Sequence, residues 1–116
     1  MNIRKFQITD AVFERSPGQD GDVLVANMVD DRDGGPITIG FGRYGPEQFL
    51  SEIMAVDDVM VLLRGELIVS TETVTVTAGP GEFVYMPKRE PVTIRSGKQG
   101  ADTAYVTYPH WREVHA

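Results

Sequence analysis

The sequence predicts an all-β domain, a sandwich or a barrel, and three observations predict it. Clusters of Gly, Pro, Asp and Ser recur at short intervals, at 16–22, 30–36, 44–46, 64–66, 78–82 and 96–102. The runs between them are short and rich in Val, Ile, Thr, Tyr and Phe. The clearest run, Thr73–Thr77, alternates residue by residue, which is the period of a strand. Regular turns with short β-type runs are the pattern of a sandwich or barrel.

The elements follow in order. Residues 22–29 and 37–42 read as strands joined by an Asp/Gly turn. Glu66–Ser70 pairs with Thr73–Thr77, whose alternation puts Val74 and Val76 on one face and the threonines on the other. Glu82–Met86 is a strand ended by Pro87, which has no N–H to give a ladder. Pro91–Arg95 and Thr103–Tyr108 follow as two more. The expected total is roughly eight to eleven strands.

Length and composition narrow the class. A chain of 116 residues suits one domain, 1–116, and 41 % hydrophobic content fills one core. Eleven Lys plus Arg against 17 Asp plus Glu leave a net charge of −6, which disfavours nucleic acid as a partner. The absence of cysteine excludes disulfides and thiolate metal sites. Residues 1–10 carry basic groups with no apolar run behind them, so no secretory signal is expected. No stretch approaches the roughly 20 apolar residues of a membrane helix, and a cytoplasmic location with no membrane partner is the expectation.

Two segments resemble other devices. Gly40-Phe41-Gly42-Arg43-Tyr44-Gly45 matches G-x-G-x-x-G, and Pro46–Met54 behind it has Phe49, Leu50, Ile53 and Met54 at helical spacing. One such unit cannot bury a parallel sheet alone, and no second helix-period segment exists. Gly40 and Gly42 fit better as strand residues that another group approaches closely. DDRDGG at 30–35 lacks the calcium-loop order, since counted from Asp31 the fifth position, the third acid slot, is Gly35 and the twelfth is Gly42, so it reads as a hairpin turn.

A longer pattern is more specific. Glu52-x-Met54, three residues, Asp58, six residues and Gly65 form one frame; Gly81, five residues, Pro87-x-Arg89 and two residues to Val92 form another. These frames resemble the two motifs of the cupin superfamily, whose slots usually hold H-x-H, E and G, then G, P-x-G and H. The resemblance implies a cupin jelly-roll β-barrel, a double-stranded β-helix, with N-terminal strands over 1–35 and the barrel core over 36–111. Here Glu52 and Met54 fill the two histidine slots, Asp58 the glutamate slot, Arg89 a glycine slot and Val92 the third histidine slot. Without imidazole nitrogen, no metal and no other cofactor is expected. His110 and His115 lie outside both frames.

Within the cupins the chain is similar to the ethanolamine-utilisation (EutQ-like) type, which also lacks the histidines. The likeness rests on Asp57–Leu67, Gly81–Lys88 and the ending Tyr105–Trp111. Members of that family have been assigned phosphotransfer to acetate. This sequence holds no P-loop and no lysine-rich phosphate cradle.

Alternation places Asp58, Met60 and Leu62 on one face, with Glu52 and Met54 beside them if no bulge intervenes. In a cupin that face looks into the barrel, and Val92 and Ile94 join it. The expected site is an apolar pocket with one or two acids at its mouth, lined by Glu52, Met54, Asp58, Met60, Tyr85 and Val92. Two carboxylates in apolar surroundings favour either a raised pKa or a cation, so a small amine or other small polar molecule is the expected partner. Acid/base catalysis by Glu52 and Asp58 is a second possibility, and whether the protein is an enzyme stays open. A packed barrel serving an assembly is a third. There, Asp57 and Asp58 hydrogen-bond a turn and pair with Arg64, Lys88 or Arg89. His110 is a candidate titrating or catalytic group. Tyr85, Tyr105 and Tyr108 read as core aromatics, with Trp111 covering one end of the barrel. Apolar residues in Ile3–Phe13 point to a homodimer.

Overall fold

A computed structural model describes residues 3–18 and 21–110. Trp111 and His115 lie outside the described residues. Eight strands account for nearly all regular structure among them: β1 (Glu14–Arg15), β2 (Val23–Val29), β3 (Thr38–Tyr44), β4 (Phe49–Ile53), β5 (Asp57–Ser70), β6 (Thr75–Ala78), β7 (Phe83–Met86) and β8 (Pro91–Tyr108). Every pairing is antiparallel.

Two strands organise the molecule, β5 with 14 residues and β8 with 18. The first half of β5 pairs with β7 and with the last half of β8, which continues to β3, β2 and β1. The second half of β5 pairs with β6 and with the first half of β8, which also carries β4. Each long strand therefore serves two sheets, whose inner faces enclose the core in the expected jelly-roll manner.

The expected turns at 64–66 and 96–102 are bends inside β5 and β8. Register shifts fall between Leu62 and Arg64 and between Gly65 and Leu67. Gly65 and Gly100 take positive φ, 72° and 73°. A Cβ on Gly65 would stand 2.0 Å from the Gly100 carbonyl oxygen, so the two strands touch backbone to backbone at the corner. The cupin-frame glycine is thus the residue that lets one strand change sheets.

Two other expectations change. Pro46–Met54 holds no helix: after a turn with Glu47 at φ 52°, the chain enters β4. There Phe49 and Ile53 face solvent while Leu50 and Met54 are buried. Val74 lies in the β5–β6 turn, where its carbonyl accepts from Thr71 N–H, and both Val74 and Val76 are exposed. The 30–35 segment is a short 3-10 turn capped by Asp30, whose side chain binds Arg32.

Candidate functional site

Five strands contribute residues to one cavity of about 90 Å³, with Val23, Leu24 and Val25 coming from β2. From β4 and the residue after it come Leu50, Glu52 and Met54; from β5, Asp58 and Met60. Strand β8 supplies Thr103, Tyr105 and Thr107, and β3 supplies Gly42 and Tyr44. Register sets the rows. Asp58 lies opposite Thr107, Met60 opposite Tyr105 and Leu62 opposite Thr103. Across β8, Gly40 faces Tyr105 and Gly42 faces Thr103.

The sequence places Glu52, Met54, Asp58 and Met60 together, and all four are in the cavity wall. Tyr85 and Val92 are not. Along β7 the buried residues are Val84 and Met86, so the strand period turns Tyr85 outward, where 56 % of it is exposed. Its hydroxyl makes a long contact of 3.4 Å to Asp57 Oδ1. Val92 is buried in the core opposite Glu52 and does not line the cavity.

Among the wall residues that the sequence did not assign to the site are Tyr44 and Tyr105, the latter expected only as a core aromatic. Both are buried in the wall. Tyr44 donates to Met60 Sδ at 3.5 Å, and Tyr105 donates to Asn27 Oδ1. Gly40 makes the second possible: a Cβ there would lie 2.5 Å from the Tyr105 hydroxyl oxygen. The strand period was the available signal, since Gly40, Gly42 and Tyr44 share a face.

Electrostatics centres on Asp58. Its Oδ1 is buried with no hydrogen-bond partner among the described residues. Burial first, and the negative charge of Glu52 second, push its carboxyl up to about 7. Burial, then Asp58, Glu52 and Tyr105, also push the Tyr44 phenol up, so it stays a neutral donor. Among the described residues no Lys or Arg is in the wall. Arg64 instead joins Arg43 on Asp102, whose pKa these two cations lower against its partial desolvation. Asp57 does cap a turn, accepting from Lys88 N–H at 2.9 Å.

His110 does not reach the cavity wall. It is buried, its Nδ1 is 3.0 Å from Thr38 Oγ1, and its Nε2 meets the Gly35 carbonyl. A carbonyl only accepts, so Nε2 carries a proton and the ring ties the end of β8 to the entry of β3.

The cupin fold raises the question of a metal. The four frame positions offer two carboxylates, a buried thioether and a buried Val. Among the described residues no group of three or more His, Cys, Asp or Glu is placed to hold an ion. This donor set does not fit the nitrogen-rich centre of histidine-bearing cupins.

Comparison with known proteins bears on the fold and the family. The family model described as ethanolamine utilisation protein EutQ matches residues 9–113. The chain belongs to the EutQ family. A structure of unknown function from Rhizobium leguminosarum bv. viciae 3841 is 59 % identical, covering 95 % of this chain and 100 % of that one, with a TM-score of 0.80. A putative ethanolamine utilization protein Q from Salmonella typhimurium LT2 is 25 % identical, covering 84 % and 79 %, with a TM-score of 0.73. The cupin domain of Schizosaccharomyces pombe Cnp3, 11 % identical over 94 % and 76 %, shares the fold with a TM-score of 0.75. No curated protein matches. This EutQ-family chain is therefore an all-β cupin. Among its described residues no helix is long and apolar enough to cross a membrane.

Proposed function

We propose that this EutQ-family chain is a metal-free, cytoplasmic, homodimeric cupin whose cavity binds a small amine or similar polar metabolite between Glu52 and Asp58. The observation that carries the proposal is the Asp58 carboxyl itself. It is buried beside a second acid, one oxygen has no partner, and the wall around it is largely apolar. A cationic nitrogen supplies what that oxygen lacks and offsets the repulsion between the acids. The cavity speaks against a barrel that is merely packed for assembly.

The same wall disfavours an anionic substrate. Two acids, with no Lys or Arg beside them among the described residues, repel acetate and phosphate alike, so acetate phosphotransfer has no support from this cavity. Proton transfer is the enzymatic alternative. An acid held at about 7 both gives and takes a proton at neutral pH, as isomerase or lyase chemistry requires.

Calorimetry with ethanolamine and related amines tests the proposal. Saturable heat at millimolar amine is expected for the wild type and is lost in Glu52→Gln and in Asp58→Asn. A wild type that takes up none of these amines ends the amine assignment.

A further inference from the structure

We infer that the Thr103 hydroxyl is a second anchor in the cavity, so that the preferred ligand is an elongated amine ending in a hydroxyl or carbonyl oxygen. This rests on the amine assignment above and narrows it.

Thr103 is 1 % exposed and borders the cavity, and its Oγ1 is buried with no hydrogen-bond partner among the described residues. A buried hydroxyl in a native protein ordinarily finds a partner. The neighbouring candidates are engaged. Tyr44 donates to Met60 Sδ, and Tyr105 donates to Asn27 Oδ1. Thr103 sits in the middle of β8, between Gly42 of β3 and Leu62 of β5. Valine would fill the same volume without an unsatisfied group.

The surroundings form a recess. A Cβ on Gly42 would lie 2.6 Å from Thr103 Oγ1 and 3.8 Å from ring atoms of both Tyr44 and Tyr105. The hydroxyl therefore lies against bare backbone, close to two aromatic rings. A polar group reaching it would have an aromatic body behind it.

Strand geometry sets the length. Asp58 faces Thr107, and Thr103 is four residues away on the same face of β8. At 3.3 Å per residue that is about 13 Å between the two threonine Cα atoms. Asp and Thr side chains close only part of this gap, so a two-carbon amine touches one anchor and not both. The chemistry that fits is a cationic nitrogen, an apolar or aromatic middle along Met60, Tyr44 and Tyr105, and an oxygen at the far end.

Calorimetry with tyramine, phenethylamine and ethanolamine tests this on the full chain. Wild type is expected to bind tyramine on the order of tenfold more tightly than phenethylamine, from one hydrogen bond to a buried group. In Thr103→Val the two affinities become equal. Thr103→Val is also expected to melt no lower than wild type. If wild type binds both aryl amines equally, or Thr103→Val keeps the tyramine preference, the second anchor is wrong and the amine assignment stands. If wild type binds no amine, both fall. A clear loss of stability in Thr103→Val would show that the hydroxyl serves the fold, and would overturn the anchor.

Discussion

Asp57 and Asp58 are neighbours in sequence and opposites in environment. Asp57 faces outward and its Oδ1 accepts from the Lys88 N–H at 2.9 Å; Asp58 faces the cavity and its Oδ1 is buried without a partner among the described residues. Strand alternation alone separates them. Asp58 is therefore a cost to the folded state whenever it is ionised. Its carboxyl is raised from 3.8 to about 7, so between these values the native state binds more protons than the unfolded state. The contribution of Asp58 to stability then falls as pH rises from about 4 to about 7, by on the order of 4 kcal/mol in total. Asp58→Asn removes that slope and is expected to be more stable than wild type at pH 8 and little different at pH 4. Urea unfolding across that range checks it, and parallel curves for the two proteins would refute the assignment.

The same proton couples to ligand binding. An ammonium group pairs with the ionised form of Asp58, and below about 7 the proton competes for the site. Amine affinity is expected to fall as pH drops from 7 to 5, approaching tenfold per unit. Calorimetry in buffers of different ionisation enthalpy reads the released proton directly. Affinity that is flat over this range would show that Asp58 does not contact the cation.

Arg89 occupies a slot where the cupin frame has glycine, and the structure shows what the slot demands. Arg89 takes φ 78°, and its N–H donates to the Met54 carbonyl at 2.7 Å, binding the turn before β8 to the residue after β4. A side chain in the left-handed region costs about 1–2 kcal/mol, and glycine avoids it at a smaller loss of unfolded-chain entropy. Arg89→Gly is expected to raise stability by a few tenths to about 1 kcal/mol. Arg89→Val is expected to lower it, because a β-branched residue fits this region worst. Thermal melts of the two variants decide the matter.

How much of this was legible in the sequence depends on polarity contrast. Asp58, Met60 and Leu62 could be placed on one face because β5 enters with an acid pair whose members must part. In Phe83–Met86 all four residues are apolar, so nothing in the sequence says which pair turns inward; packing gave that place to Val84 and Met86 and exposed Tyr85. The Phe49–Met54 spacing satisfies a helix as well as a strand, and only pairing with β8 settles it. The bends at Gly65 and Gly100 looked like turns because a glycine with positive φ serves either purpose. The free Thr103 hydroxyl has no sequence signal at all, since it is defined by what its neighbours already bind.

The outer face of the larger sheet carries the last prediction. Tyr85, Val59, Val106 and Ile39 form one row across β7, β5, β8 and β3, and Phe83, Val61, Ala104 and Phe41 form the next. Phe83 and Tyr85 are each more than half exposed. Neither row holds a charge, on a chain whose net charge is −6, so a second copy meets these rows without like-charge repulsion. The N-terminal segment is less suited to the task than its composition implies. Phe6 is covered by Arg4 and Phe13 by Arg43, which leaves Ile3 and Val12 exposed. A homodimer that is symmetric about this sheet face is expected, with Phe83→Lys shifting it to monomer while leaving the fold intact. Sedimentation velocity at micromolar protein reads the change. A wild type that sediments as a monomer, or a dimer that Phe83→Lys leaves untouched, would rule this face out.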